Sequence, residues 1–253
     1  MKKIIKYLFL LTGGSFILAS CNDFLDREPL DSVTPDNFFF TENDLAAYAV
    51  KHYNFTTHEG FNAGIWRNDN ATDNQAATDY DKKWIPGQWK VPEAYDNPAS
   101  NDPWYFSAIR EANYFLETVV PRFEKGEIEG SETNIKHYIG EMYFLRAKNY
   151  LSKLETFGDF PIIKNTLPDE SVSLIQASKR EPRHKVARFI LEDLDLAIGL
   201  LTNTISGGKN RITKNAALLL KSRAALYEAS WLTYHKGTAL VPGGPGWPGK
   251  EKG

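Results

Sequence analysis

The chain has 253 residues, 30 basic against 32 acidic side chains, a net charge of −2 and a single cysteine. This near-balanced charge argues against nucleic acid or an anionic lipid surface as partner. One cysteine excludes an intramolecular disulfide, so the fold must be held by burial of a core, for which the length allows one sizeable domain.

Met1 to Lys6 carries three lysines and no acid, and an apolar stretch from Tyr7 to Ala19 follows, interrupted by Thr12, Gly13, Gly14 and Ser15. A charged head followed by a short apolar run is the pattern of an export signal, and the run falls short of the roughly 20 apolar residues a membrane-spanning helix needs. It ends in Leu18-Ala19-Ser20-Cys21, which resembles the lipobox of bacterial lipoproteins. That resemblance implies a signal peptide over residues 1–20 and a mature chain beginning at an acylated Cys21. More than one acyl chain there anchors a soluble domain stably. The alternative is an ordinary secretory signal with an incidental cysteine. Removal of residues 1–20 takes away three lysines and leaves a charge of −5.

Residues 21–41 are polar, with Pro29 and Pro35, and read as a tether. From Glu42 to Tyr53 the apolar residues recur with helical spacing behind Thr41, which is suited to cap the helix. Residues 54–102 have no periodicity and are rich in Asn, Asp, Gly and Pro, yet carry Phe61, Trp66, Trp84, Trp89 and Tyr95. So long a loop in a compact domain is functional or disordered, and its aromatic content favours an ordered, irregular surface. Four amphipathic helices are predicted next, over Pro103–Thr118, Ile135–Phe157, Lys185–Leu201 and Thr213–Tyr234. Two of them share an echo, Arg146-Ala147-Lys148-Asn149-Tyr150 and Arg223-Ala224-Ala225-Leu226-Tyr227, with a small residue one turn before an aromatic. That pattern suits the close pairing of tetratricopeptide-type helices, and equally an ordinary helical core. Residues 241–253, rich in Gly and Pro, cannot continue a helix, and an exposed Trp247 is expected there in an unpacked tail.

The motifs Cys21-Asn22-Asp23-Phe24-Leu25-Asp26, Ile109-Arg110-Glu111-Ala112-Asn113, Gly140 to Ala147, Phe157-Gly158-Asp159-Phe160-Pro161, Ile190 to Ala197 and Arg211 to Ser230 stand in this order behind the lipobox. In this order the chain resembles the SusD/RagB family of Bacteroidetes surface lipoproteins. The resemblance implies an all-α fold of tetratricopeptide-like helix pairs with a long irregular loop region. It places the helical domain at 42–240 and matches only the N-terminal half of a longer pattern, so the expected truncation point lies in residues 241–253. It further implies an outer-membrane, surface-exposed protein that binds oligosaccharide or another nutrient and caps a SusC-like TonB-dependent transporter. Asp23 and Asp26 fit the family's surface-export signal and equally a solvated linker.

A sugar presents an apolar C–H face and a rim of hydroxyls, so its receptor needs flat aromatic platforms beside amides, carboxylates or guanidinium groups. Within the loop, Trp84 and Trp89 are the expected platforms, with Trp66 behind them, and Asp69, Asp73, Asn74 and Arg67 the expected polar contacts. The alternative is that these tryptophans anchor the loop while the acids face water. No metal is expected: Asp69-Asn70-Ala71-Thr72-Asp73 lacks the ligand alternation and central Gly of a calcium loop, and no two of the five histidines stand at helical i, i+4 spacing. Gly207-Gly208-Lys209 lacks the first Gly of a phosphate loop and reads as a turn, leaving no cofactor motif. Without a nucleophile elbow or metal-ligand motif, a non-catalytic binder is favoured over a surface glycoside hydrolase or a protein-binding helical scaffold.

Overall fold

The computed structural model describes residues 38–53, 55, 85, 103–204 and 210–247. The described helices are α1 (Glu42–Lys51), α2 (Ser107–Lys125), α3 (Glu132–Phe157), α4 (Ser171–Ala177), α5 (Arg183–Leu200) and α6 (Lys214–Tyr234). No named strand occurs among the described residues, only isolated bridges between Thr41 and Glu129 and between Phe160 and Glu181.

Thr41 begins α1 as its sequence suggests. Its hydroxyl accepts from the Asp44 amide, and the Asp44 carboxylate accepts from the Thr41 amide at 2.9 Å, so two of the otherwise unpaired donors of the first turn are satisfied together. Phe39, just before this cap, has a left-handed φ of 70°, which a bulky residue adopts only when its surroundings compel it. Here they do: its ring is fully buried against Tyr48 at 5.0 Å and Phe115 at 5.3 Å.

The helix predicted to stop at Thr118 runs on to Lys125 through Pro121, and Gly126, in the left-handed region, stops it by donating its amide to Phe123. The chain then doubles back. Glu42 reaches across to accept from the Ser131 amide at 2.7 Å and from Asn134, passing so close to Gly130 that a Cβ there would lie 2.7 Å from it. In α3, Gly140 likewise lets the end of α5 close in, since a Cβ would stand 3.0 Å from Leu201.

α3 is the central helix, packed on α1, α2 and α5, and α5 in turn packs on α6. The predicted inner face of α5 is confirmed throughout: Val186, Phe189, Ile190, Leu194, Ala197 and Leu201 are all buried. In the echo, Ala147, Tyr150 and Ala224 are buried, whereas Tyr227 is half-buried. The architecture is therefore all-α with tetratricopeptide-like helix pairs. One helix was not foreseen. Residues 171–177 form α4 without a single buried side chain, so no apolar stripe marks them.

The tail also departs from expectation. From His235 to Trp247 the chain folds into successive turns on the end of α6, Val241 is buried, and the Trp231 indole N–H donates to the Leu240 carbonyl. Trp247 is half-buried, its ring 5.9 Å from that of His184, rather than exposed.

Candidate functional site

The expected anchor Cys21 and the expected glycan contacts Trp66, Arg67, Asp69, Asp73, Asn74, Trp84 and Trp89 all lie outside the described residues. What the structure does describe is where the loop that carries those contacts leaves the helical body and returns to it.

Both ends meet one cavity. His52 and Lys51 from the end of α1, Tyr105 from the entry to α2, Glu111 on α2, and Lys148 and Ser152 on α3 line a cavity of about 580 Å³. Pro103, at the other end of the loop, lines it too, and its carbonyl accepts from the Lys153 ammonium. Helix periodicity places these groups together. Lys148 and Ser152 stand one turn apart on α3, and Ala108 and Glu111 line the facing side of α2.

His52 Nδ1 lies 3.3 Å from Glu111 Oε2, and the Tyr48 hydroxyl donates to the Glu111 carbonyl at 3.1 Å. Burial holds the His52 imidazole below its ordinary pKa, against the opposing pull of Glu111. A neutral ring with its proton on Nδ1 fits this contact, and leaves Nε2 buried with no hydrogen-bond partner among the described residues. Burial likewise holds Lys148 below the ordinary lysine value, and its ammonium sits 5.3 Å from the centre of the Phe55 ring. On the same side, Tyr53 packs edge-on against Phe55 at 5.4 Å while its hydroxyl accepts from the Ile212 amide.

The cavity thus combines lysine, hydroxyl and amide donors with one carboxylate, in a concave space of the size that holds small ligands. Such a lining suits a hydroxylated ligand. Sequence reading missed it because its residues come from three helices separated by up to about a hundred positions. The one available signal was the change from periodic to aperiodic chain at Tyr53 and its return at Pro103, which marks the rim.

Trp104, where the loop returns to the helical body, is a wedge. It packs on Phe157 with ring centres 4.1 Å apart, is stacked on Phe160, and is covered by the Arg180 guanidinium at 4.9 Å. Its ring is therefore held by the fold, half-buried. Among the described residues no group of three or more His, Cys, Asp or Glu side chains is arranged to hold a metal ion, and no helix is long and apolar enough to cross a membrane.

Comparison with known proteins places these observations. Residues 23–226 match the model of a SusD-like family described as starch-binding and associating with the outer membrane. The chain is 26% identical over 219 residues to SusD-like protein P2 of Formosa agariphila, covering 84% of this chain and 40% of that protein. To SusD-like protein P38 of the same organism it is 26% identical over 231 residues, covering 88% and 42%. The chain therefore spans less than half the length of these relatives. Among solved structures, a SusD-like carbohydrate binding protein from Bacteroides fragilis superposes with a TM-score of 0.55 at 19% identity, over 79% of this chain and 40% of that one, a likeness of fold.

Proposed function

This chain belongs to the SusD-like family, and from that premise we propose that it is a non-catalytic glycan-binding lipoprotein of the outer membrane that holds oligosaccharide for uptake. The observation that carries the reading is the convergence of both ends of the aromatic loop on one donor-rich cavity, within a chain whose family match runs from residue 23 to 226. In this reading Trp84 and Trp89 stack on sugar rings, with Trp66, Arg67, Asp69, Asp73 and Asn74 around them. The cavity at the foot of the loop takes hydroxyls between Lys148 and Glu111. Acyl chains on Cys21 hold the protein at the cell surface, and a SusC-like TonB-dependent transporter is the partner it caps.

Affinity electrophoresis against a panel of polysaccharides tests the binding. A polysaccharide that retards the native chain is expected to lose its grip on Trp84→Ala and Trp89→Ala, and unchanged mobility of both variants removes them from the site. Release of reducing ends from the same panel by the purified protein would show a hydrolase instead. Labelled palmitate is expected to enter the protein at Cys21, and an affinity-tagged copy is expected to retain a TonB-dependent barrel. A chain that retains the barrel yet retards on no polysaccharide would be a protein-binding scaffold.

A further inference from the structure

A second cavity, of about 660 Å³, opens where the end of α3, the approach to α5, the end of α6 and the folded tail meet. Phe157, Tyr227, Trp231 and Trp247 supply its aromatic wall, and Glu155, Asp159, Arg180 and Arg183 its charged groups. It lies beside the cavity at the foot of the loop, for Thr156 lines both.

The aromatic residues are not equivalent. Trp231 is the more heavily engaged, with the Arg183 guanidinium 4.0 Å from its ring centre, the His235 ring at 4.2 Å, and its N–H on the Leu240 carbonyl. It serves as wall. Among the described residues Trp247 has one ring neighbour, His184 at 5.9 Å, and no hydrogen-bond partner for its indole N–H. The tail that carries it is held in place by buried Val241 and by the turn in which Trp247 donates its amide to Gly244.

The charged groups divide in the same way. Arg183 is held through Nε to Glu228 at 2.8 Å and through its backbone amide to Asp159 at 2.8 Å, with its Nη2 left unpaired among the described residues. Arg180 stacks on Trp104 but forms no ion pair among the described residues, and neither does Glu155. Glu155 is exposed at the rim, yet the bulk of protein behind it pushes its carboxyl above the ordinary value against the pull of Arg223 and Arg183.

The two carboxylates and two guanidinium groups on this cavity balance, so a singly charged ligand gains little net attraction there. What they offer jointly is an acceptor and a donor, the complement of neighbouring hydroxyls that both donate and accept. With an aromatic wall for the apolar face of a ring, this chemistry fits a neutral sugar. We propose that this cavity is a second saccharide subsite, holding one neutral pyranose ring against Trp247 with its hydroxyls on Glu155 and Arg180. A glycan seated at the foot of the loop reaches it by passing over Thr156, so the protein prefers longer chains. This rests on the proposed glycan binding and extends it.

Isothermal titration of the full chain with oligosaccharide ladders from starch, laminarin and xyloglucan tests the assignment. Whichever ladder binds, Glu155→Gln and Trp247→Ala are each expected to weaken the longest oligomer about tenfold and to leave the shortest binding oligomer unchanged. Should Trp247→Ala loosen the tail, Glu155→Gln, which conserves volume, still reports, and thermal melting of both variants monitors the fold. Equal affinity of both variants and the native chain at every length overturns the second subsite and leaves the glycan-binding reading standing. Equal weakening at every length also overturns it, because the two cavities then act as one site. A native chain that binds no ladder removes both readings together.

Discussion

Among the described residues two arginines lie almost wholly buried, and their surroundings differ. Arg146 on α3 meets Asp193 on α5 through two parallel bonds, Nε to Oδ2 at 2.7 Å and Nη2 to Oδ1 at 2.8 Å, while Nη1 donates to Asn113 of α2 at 2.9 Å. Arg183 at the start of α5 meets Glu228 of α6 by one bond, leaving its own Nη2 and the Glu228 Oε1 buried without partners among the described residues. Both guanidinium groups lie over rings, Arg183 closer, with Tyr227 at 5.1 Å and Trp231 at 4.0 Å against 5.4 Å and 5.3 Å for Arg146 over Tyr143 and Phe189. The first pair is a closed lock joining three helices, and it contacts no candidate site. The second is half-satisfied and stands on the wall of a cavity. Buried charge is tolerated when every hydrogen-bonding position is filled, whereas an unfilled one is a standing cost that natural structures keep mainly where it serves something else.

That contrast breaks most readily at Asp193. Asp193→Ala leaves the Arg146 guanidinium in the core without its counter-charge, and a loss of about 3–5 kcal/mol is expected in urea unfolding; a loss below about 1 kcal/mol would mean the lock holds nothing. Glu228→Gln is expected to cost less, about 1–2 kcal/mol in the same assay, because the variant keeps an acceptor for Arg183 and the two rings continue to cover the guanidinium. A cost equal to that at Asp193 would erase the distinction between the pairs. Thr41→Ala, which removes the side-chain half of the α1 capping box, provides a scale for purely local contacts at about 1 kcal/mol.

The smallest expected effect is one of pH. Burial pushes the Glu228 carboxyl above its ordinary 4.5, against the pull of Arg183. The folded chain therefore holds this proton more tightly than the unfolded chain. The resulting stability is complete below pH 4.5 and is lost as pH rises through the folded-state value. The melting temperature of the native chain relative to Glu228→Gln should accordingly fall as pH is raised across this window. A difference that stays flat would show that Glu228 titrates as an ordinary carboxylate.

Much of this was open to inspection in the chain itself. The spacing of Val186, Phe189, Ile190, Leu194 and Ala197 predicts one buried face, and all five are buried. Thr41 announces its helix for a local reason, since capping involves only its neighbours within a turn. The continuation of α2 past Thr118 was hidden by Pro121, a residue that normally ends helices, and α4 by its lack of any buried side chain. Neither of these two ion pairs could be read from spacing, because their partners stand 47 and 45 residues apart. The candidate site divides in the same way. The loop was marked by composition, but the cavity at its foot needs His52, Glu111 and Lys148 brought from three helices.

The sequence alone determined what depends on near neighbours: the export-like N-terminus with its one cysteine, the helical stretches, their apolar stripes, and the ordered series of motifs that marks the family. Tertiary structure decided what depends on distant neighbours: which arginine meets which acid, how the Gly/Pro-rich tail folds back to half-bury Trp247, and where two cavities open on either side of Thr156. The reason is geometric. Periodicity and capping act within a few residues, whereas a cavity or a buried charge pair exists only once helices far apart in the chain have packed against one another.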